Sequence, residues 1–219
     1  MNIRIITQNN TANKQILPII RTLIKFHKDS YTPVSRQADP YKVLVSCIIS
    51  QRTRDEQTDK VSARLFNVAS TPAEMAELPV RRLEKLLVGA GFYRTKARHI
   101  IAASKILLEQ HGGKMPDEFD ELMKLPGVGR KTANIVMVFG FGRPAIPVDT
   151  HVHRISNRLG IVRTKTPEET EFALIKIVPR RYWLALNAVM VRHGQTICRP
   201  VSPKCPECPA ERMCMKRNL

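Results

Sequence analysis

The sequence predicts an all-α fold. Apolar residues recur at helical spacing in segment after segment, and two Thr-Pro-x-Glu stretches, Thr71–Glu74 and Thr166–Glu169, carry helix-start chemistry. No sustained alternation of polar and apolar residues marks a strand, and there is no internal repeat or low-complexity tract.

Taken in order, residues 1–12 are weakly patterned and expected to fray. Asn13 is a candidate N-cap, although Pro18 sits more easily in a first turn and favours a later start; Ile16, Leu17, Ile19, Ile20, Leu23 and Ile24 then fall on helical spacing. Tyr31–Pro40 reads as a loop. Tyr41–Ile49 is almost wholly apolar, and Ser50–Phe66 continues at helical spacing, so the whole stretch is expected to be helical throughout. Arg81–Val88 and Lys96–Glu109 read as helices separated by Gly89–Thr95, and Asp120–Lys124 leads into a turn. Gly140, Gly142, Pro144 and Pro147 break the chain before Asp149. His151–Leu159, Glu168–Ile177 and Tyr182–Val191 complete the helical set.

The 219 residues carry 36 Lys and Arg against 19 Asp and Glu, a net charge of +17, with an isoelectric point near 10.1. A chain that basic meets a polyanion, nucleic acid first among them; the plainer alternative is a generally basic surface. Aromatic residues are only 5%, which argues against a stacking platform for single strands. Met1–Ile6 has no long apolar core or cleavage site, and no stretch approaches the roughly 18 apolar residues of a membrane span. A cytoplasmic, nucleoid-associated protein with reduced thiols is expected, with no membrane partner.

Leu125-Pro-Gly-Val-Gly-Arg-Lys-Thr-Ala133 is the stretch around which the chain is organised. Pro126 ends the preceding helix, Gly127 and Gly129 supply backbone freedom for a tight turn, and Thr132–Phe139 reads as an apolar helix. The start of such a helix offers unpaired amides and a positive dipole end to an anion. Arg130 and Lys131 stand there, with two readings: both bind phosphate, or Lys131 is a neutral-amine nucleophile. Asp149, 18 residues on and across helix breakers, precedes a helical segment; it is a natural N-cap, and that role does not exclude a catalytic one.

Cys198, Cys205, Cys208 and Cys214 form C-x6-C-x2-C-x5-C, interleaved with prolines and with Arg199, Lys204, Arg212 and Lys216. Four thiolates so close can hold a structural zinc or a [4Fe–4S] cluster. Cys47, in an apolar run, reads as a core thiol, and Tyr182 and Trp183 read as core aromatics.

The hairpin, the Val148-Asp149-Thr150-His151 stretch and the four C-terminal cysteines, in that order, resemble the endonuclease III family of DNA glycosylases over about Val34 to Cys214. The resemblance implies two helical domains, 32–143 with six helices ending in the helix-hairpin-helix and 1–31 plus 144–219 with the cluster loop 198–214, and a DNA-binding cleft between them. It also moves the cysteine assignment from zinc to [4Fe–4S]. The partner would be double-stranded DNA bearing damaged bases or abasic sites, met by a monomer. Lys131 would attack C1′ of the damaged nucleotide and Asp149 would stabilise the sugar cation and help deprotonate the lysine.

An enzyme of that kind extrudes its nucleotide and fills the gap. Ser50–Asp55 is similar to the family's filling loop, with the expected Gln displaced by one position, so Gln51 and Arg52 are assigned jointly. Gly91-Phe92-Tyr93 resembles the second intercalating segment, with Phe92 as the wedge or, more plainly, as a core aromatic; Arg94, Lys96 and Arg98 would follow as phosphate contacts. Gly127, Gly129 and Arg130 complete the DNA-binding set. The implied activity is excision of oxidised pyrimidines with β-elimination at abasic sites. The alternatives are a T/G or U/G mismatch glycosylase of the same superfamily, for which a lysine at position 131 is out of place, and a non-catalytic DNA-binding module.

Overall fold

The computed structural model describes residues 10–28 and 38–217, with side chains from Ile16 onward. Among these residues every regular element is helical. They fall into two compact units, 38–143 and 10–28 with 144–217. Residues 1–9 and most of the Tyr31–Pro40 stretch, expected to be frayed and a loop, lie outside the described residues.

The 38–143 unit holds α1 (Pro40–Ser50), α2 (Asp55–Phe66), α3 (Pro72–Glu77), α4 (Val80–Leu86), α5 (Tyr93–His111), α6 (Phe119–Met123) and α7 (Arg130–Ile135). That is one helix more than expected, because the continuous helix read over Tyr41–Phe66 is broken at Gln51–Arg54. Asp39 starts α1 by accepting the amides of Tyr41 and Lys42, with Pro40 at the first helical position. Thr71 and Glu74 close both arms of the capping box on α3. The core is aliphatic: Leu44, Ile48, Leu65, Met75, Leu83, Ile100 and Leu107 are fully buried, each contributing roughly 1.5–3 kcal/mol by leaving water.

Beyond α7 the helix widens into a π-helical turn, Val136–Gly140, where the sequence pattern had promised only a continuing α-helix. Gly140 is buried there, and a Cβ on it would fall 2.9 Å from the Pro40 Cα. The close approach requires glycine. Beside it, the Ala38 amide donates to the Phe139 carbonyl at 3.0 Å, so the unit's two ends meet.

The other unit holds α8 (Asn10–Phe26), α9 (Thr150–Leu159), α10 (Pro167–Ile177) and α11 (Trp183–Thr196). Asn10–Phe26 begins before the expected Asn13 cap and accommodates Pro18 in its interior. Its buried Ile20 and Leu23 join Val152, Ile155, Leu174 and Met190 in a second core. Tyr182 and Trp183 pack against that core, and the Trp183 indole donates to the Val178 carbonyl at 2.7 Å. Short 3₁₀ turns at Cys205–Glu207 and Glu211–Met213 shape the C-terminal loop. No helix among the described residues is long and apolar enough to cross a membrane.

Candidate active site and cysteine cavity

The hairpin between α6 and α7 forms as its glycines demand, though only one of them uses a left-handed backbone. Gly127 has φ +80°, and a Cβ there would sit 2.8 Å from the His99 ring. Gly129 is the N-cap of α7 in an extended conformation, with open space where a Cβ would stand, so it leaves the first amides of α7 uncovered. Lys131 is exposed on that first turn. Arg130 lays its guanidinium over the Phe119 ring, 4.8 Å from its centroid. Cys47 on α1 is half-buried rather than deep in the core; burial pushes its thiol up to about 12, against the pull of the Lys131 charge.

In the other unit Asp149 is half-buried and takes the N-cap of α9, accepting the Val152 amide at 2.8 Å. The carboxylate therefore has one fixed oxygen, which orients the whole group. The α9 helix closes at Gly160, φ +80°, in the left-handed conformation of a C-terminal cap.

The break after α1 gathers the expected gap-filling residues. Arg52 is exposed at φ +52° and Phe92 is 64% exposed at φ +56°, conformations that few non-glycine residues adopt. The Arg52 guanidinium lies 5.3 Å from the centroid of the Phe92 ring. Phe92 is thus no core aromatic. The Gln51 side chain turns the other way and donates to the Gly127 carbonyl at 2.9 Å.

Arg94 and Arg98 are exposed, but Lys96 is not the surface cation that its neighbours suggested. It is only 4% exposed, and its ammonium donates to the carbonyls of Ile49 and Gln51 at 2.6 and 2.5 Å and to Thr53 Oγ1 at 2.9 Å. Burial pulls the amine down to about 8. The signal was present in the sequence: Lys96 lies on the same stripe of α5 as Ile100, Ala103 and Leu107.

All four C-terminal cysteines line one small cavity, together with Arg158 and His193. Among the described residues no three His, Cys, Asp or Glu side chains converge closely enough to hold a single metal ion. Arg158, 7% exposed, binds the Arg199 and Pro200 carbonyls at 2.6 and 2.8 Å and approaches the Cys198 sulfur at 3.6 Å. The Lys216 amide donates to the Cys214 sulfur at 3.3 Å, and His193 Nε2 lies 3.6 Å from the Cys208 sulfur. Burial raises the Cys208 and Cys214 thiols, and the neighbouring cysteines add to both shifts. Buried His193 pairs through Nδ1 with His27 at 3.0 Å and is pushed down to about 4, first by burial. Neither Arg158 nor His193 announces itself in the sequence, since both sit far from the cysteine pattern or inside an ordinary helix.

Residues 45–180 match the model of the HhH-GPD superfamily of base excision DNA repair proteins. Endonuclease III of Thermotoga maritima is 54% identical over 173 residues, covering 79% of this chain and 81% of that protein. Endonuclease III of Escherichia coli is 38% identical over 177 residues, covering 81% and 84%. A solved structure of a trapped endonuclease III–DNA covalent intermediate, 38% identical, superposes with a TM-score of 0.86 over 93% of this chain and 96% of that one. A thermostable thymine-DNA glycosylase at 23% identity shares the fold, with a TM-score of 0.84. The chain belongs to the endonuclease III family, within the HhH-GPD superfamily of base excision DNA repair proteins.

Proposed function

We propose that this protein removes oxidised pyrimidines from double-stranded DNA and cleaves the resulting abasic sites through a Schiff base on Lys131. The observation that carries the reading is an exposed lysine on the first turn of α7, directly after the Gly127–Gly129 hairpin, in a chain 38% identical to a protein trapped as a covalent DNA intermediate. In this mechanism the Lys131 ammonium first gives up a proton, the neutral amine attacks C1′ as the bond to the base breaks, and the departing base takes up that proton. Opening of the sugar ring gives the imine, and removal of a C2′ proton expels the 3′ phosphate. The Asp149 carboxylate, oriented by the Val152 amide, faces the positive charge that develops on the sugar and receives the lysine proton. The hairpin amides, Gly129 and Arg130 hold the phosphate backbone, and Gln51, Arg52 and Phe92 occupy the space left by the extruded nucleotide. The +17 charge supports residence on the nucleoid.

The cysteine cavity fits a [4Fe–4S] cluster held by Cys198, Cys205, Cys208 and Cys214. The donor set is four thiols spread around a cavity, with N–H donors aimed at the sulfurs of Cys198 and Cys214. A bound cluster would supply the four Fe–S bonds that fix this loop and present its bases to the phosphate backbone.

Borohydride trapping tests the enzymatic reading. Wild-type protein is expected to form a covalent adduct with a duplex bearing one thymine glycol and with an abasic duplex. Lys131→Gln is expected to form neither while still binding DNA. Trapping of the variant at wild-type levels would remove Lys131 as nucleophile. An adduct on the abasic duplex alone would keep the lyase and exclude thymine glycol in favour of a different base.

A further inference from the structure

Two strained segments, Arg52 and Phe92, stand in left-handed backbone conformations beside one another, and something must hold them there. The holder is buried. The Lys96 ammonium binds the last carbonyls around the end of α1, at Ile49 and Gln51, where a helix leaves acceptors unpaired and its dipole favours a cation. Its third bond goes to Thr53 Oγ1, and that same oxygen accepts the Gly91 amide at 3.1 Å. Gly91 in turn packs so closely on the Arg52 carbonyl that a Cβ would lie 2.5 Å from it.

We infer that Lys96 is a positioning residue for nucleotide extrusion: through Thr53 it locks the Gln51–Thr53 loop and the Gly91–Phe92 turn into one preformed gap-filling edge. It touches no phosphate and no substrate. The inference rests on the glycosylase reading, because only an enzyme that extrudes a nucleotide needs such an edge in place beforehand. Preforming it puts the ordering cost into folding rather than into each encounter with DNA.

The test compares wild type with Lys96→Met, which keeps the length of the side chain and removes its donors and charge. Two abasic substrates are cleaved: an intact duplex, and one whose abasic site faces a gap in the other strand, where little is left to fill. Loss of the bridge is expected to slow cleavage of the duplex by about tenfold and of the gapped substrate by less than about twofold. A 2-aminopurine opposite the abasic site is expected to lose most of its fluorescence rise on binding. The salt dependence of binding to undamaged duplex is expected to stay unchanged.

A salt slope smaller by about one charge would make Lys96 a phosphate contact and overturn the assignment. Equal losses on both substrates would overturn it too, as a general structural effect. Thr53→Val spares the Lys96 contacts to the Ile49 and Gln51 carbonyls and removes the hydroxyl that joins Lys96 to the Gly91 amide, so it serves if Lys96→Met does not fold. It is expected to show the same substrate split at about threefold, and no split would overturn the bridge. Absence of any trapped adduct with wild type sinks the lyase reading itself, whereas a missing split with wild-type trapping intact sinks only the role of Lys96.

Discussion

The side-chain amide of Gln51 donates a 2.9 Å hydrogen bond to the carbonyl of Gly127, tying the break after α1 to the turn of the hairpin. The acceptor is a residue at φ +80° with a histidine ring against its missing side chain. Gly127→Ala is therefore expected to cost roughly 1–3 kcal/mol from backbone strain and displacement of His99. The midpoint of urea unfolding measures it, and an unchanged midpoint would mean that the turn relaxes freely. Gln51→Ala leaves the turn unstrained, so it is expected to change abasic-site cleavage more than the unfolding midpoint.

The N-cap role of Asp149 can be separated from the catalytic role proposed for it. Asparagine caps a helix as well as aspartate does, while alanine does not. Asp149→Asn is expected to unfold like wild type yet release the damaged base far more slowly. Asp149→Ala is expected to lose about 1 kcal/mol of stability in addition. Single-turnover base release read beside thermal melting distinguishes the two. An asparagine variant with wild-type base release would leave Asp149 as a cap alone.

The Cys47 thiol is raised by burial from an ordinary 9.0 to about 12. A raised acid means that the folded state keeps its proton longer than the unfolded chain, so the stabilisation is complete below pH 9 and is lost as pH climbs toward 12. Wild type is expected to lose more stability over that window than Cys47→Val. At pH 8 the folded protein should alkylate at Cys47 much more slowly than the unfolded one. Parallel pH profiles for the two proteins would refute the shift.

Arg158 ties the Arg199 and Pro200 carbonyls to α9 and points a donor at the Cys198 sulfur. Arg158→Met is expected to leave the helical core folded and to lower the iron and acid-labile sulfide retained per chain after gel filtration. Full retention would show that the proposed cluster is held without this arginine.

The helical character, the Thr71 cap, the Asp149 cap and the hairpin were legible because each is set by residues within a turn of one another. The break at Gln51–Arg54 was not. Apolar spacing runs straight across it, and a left-handed arginine carries no local mark of the kind that a glycine provides. Lys96 was misread by its company, two exposed arginines, rather than by the core stripe on which it stands. At the end of the Val136–Gly140 widening Gly140 meets Pro40, a hundred residues earlier in the chain, and no window of sequence holds both.

That same meeting gives the unit a further property. With the Ala38 amide on the Phe139 carbonyl and Gly140 against Pro40, residues 38–143 enter and leave at one spot. A segment whose ends touch is a cassette: it can be copied, cut out or rejoined head to tail without pulling its own core apart. The hairpin and the Arg52 and Phe92 turns all lie inside that one segment.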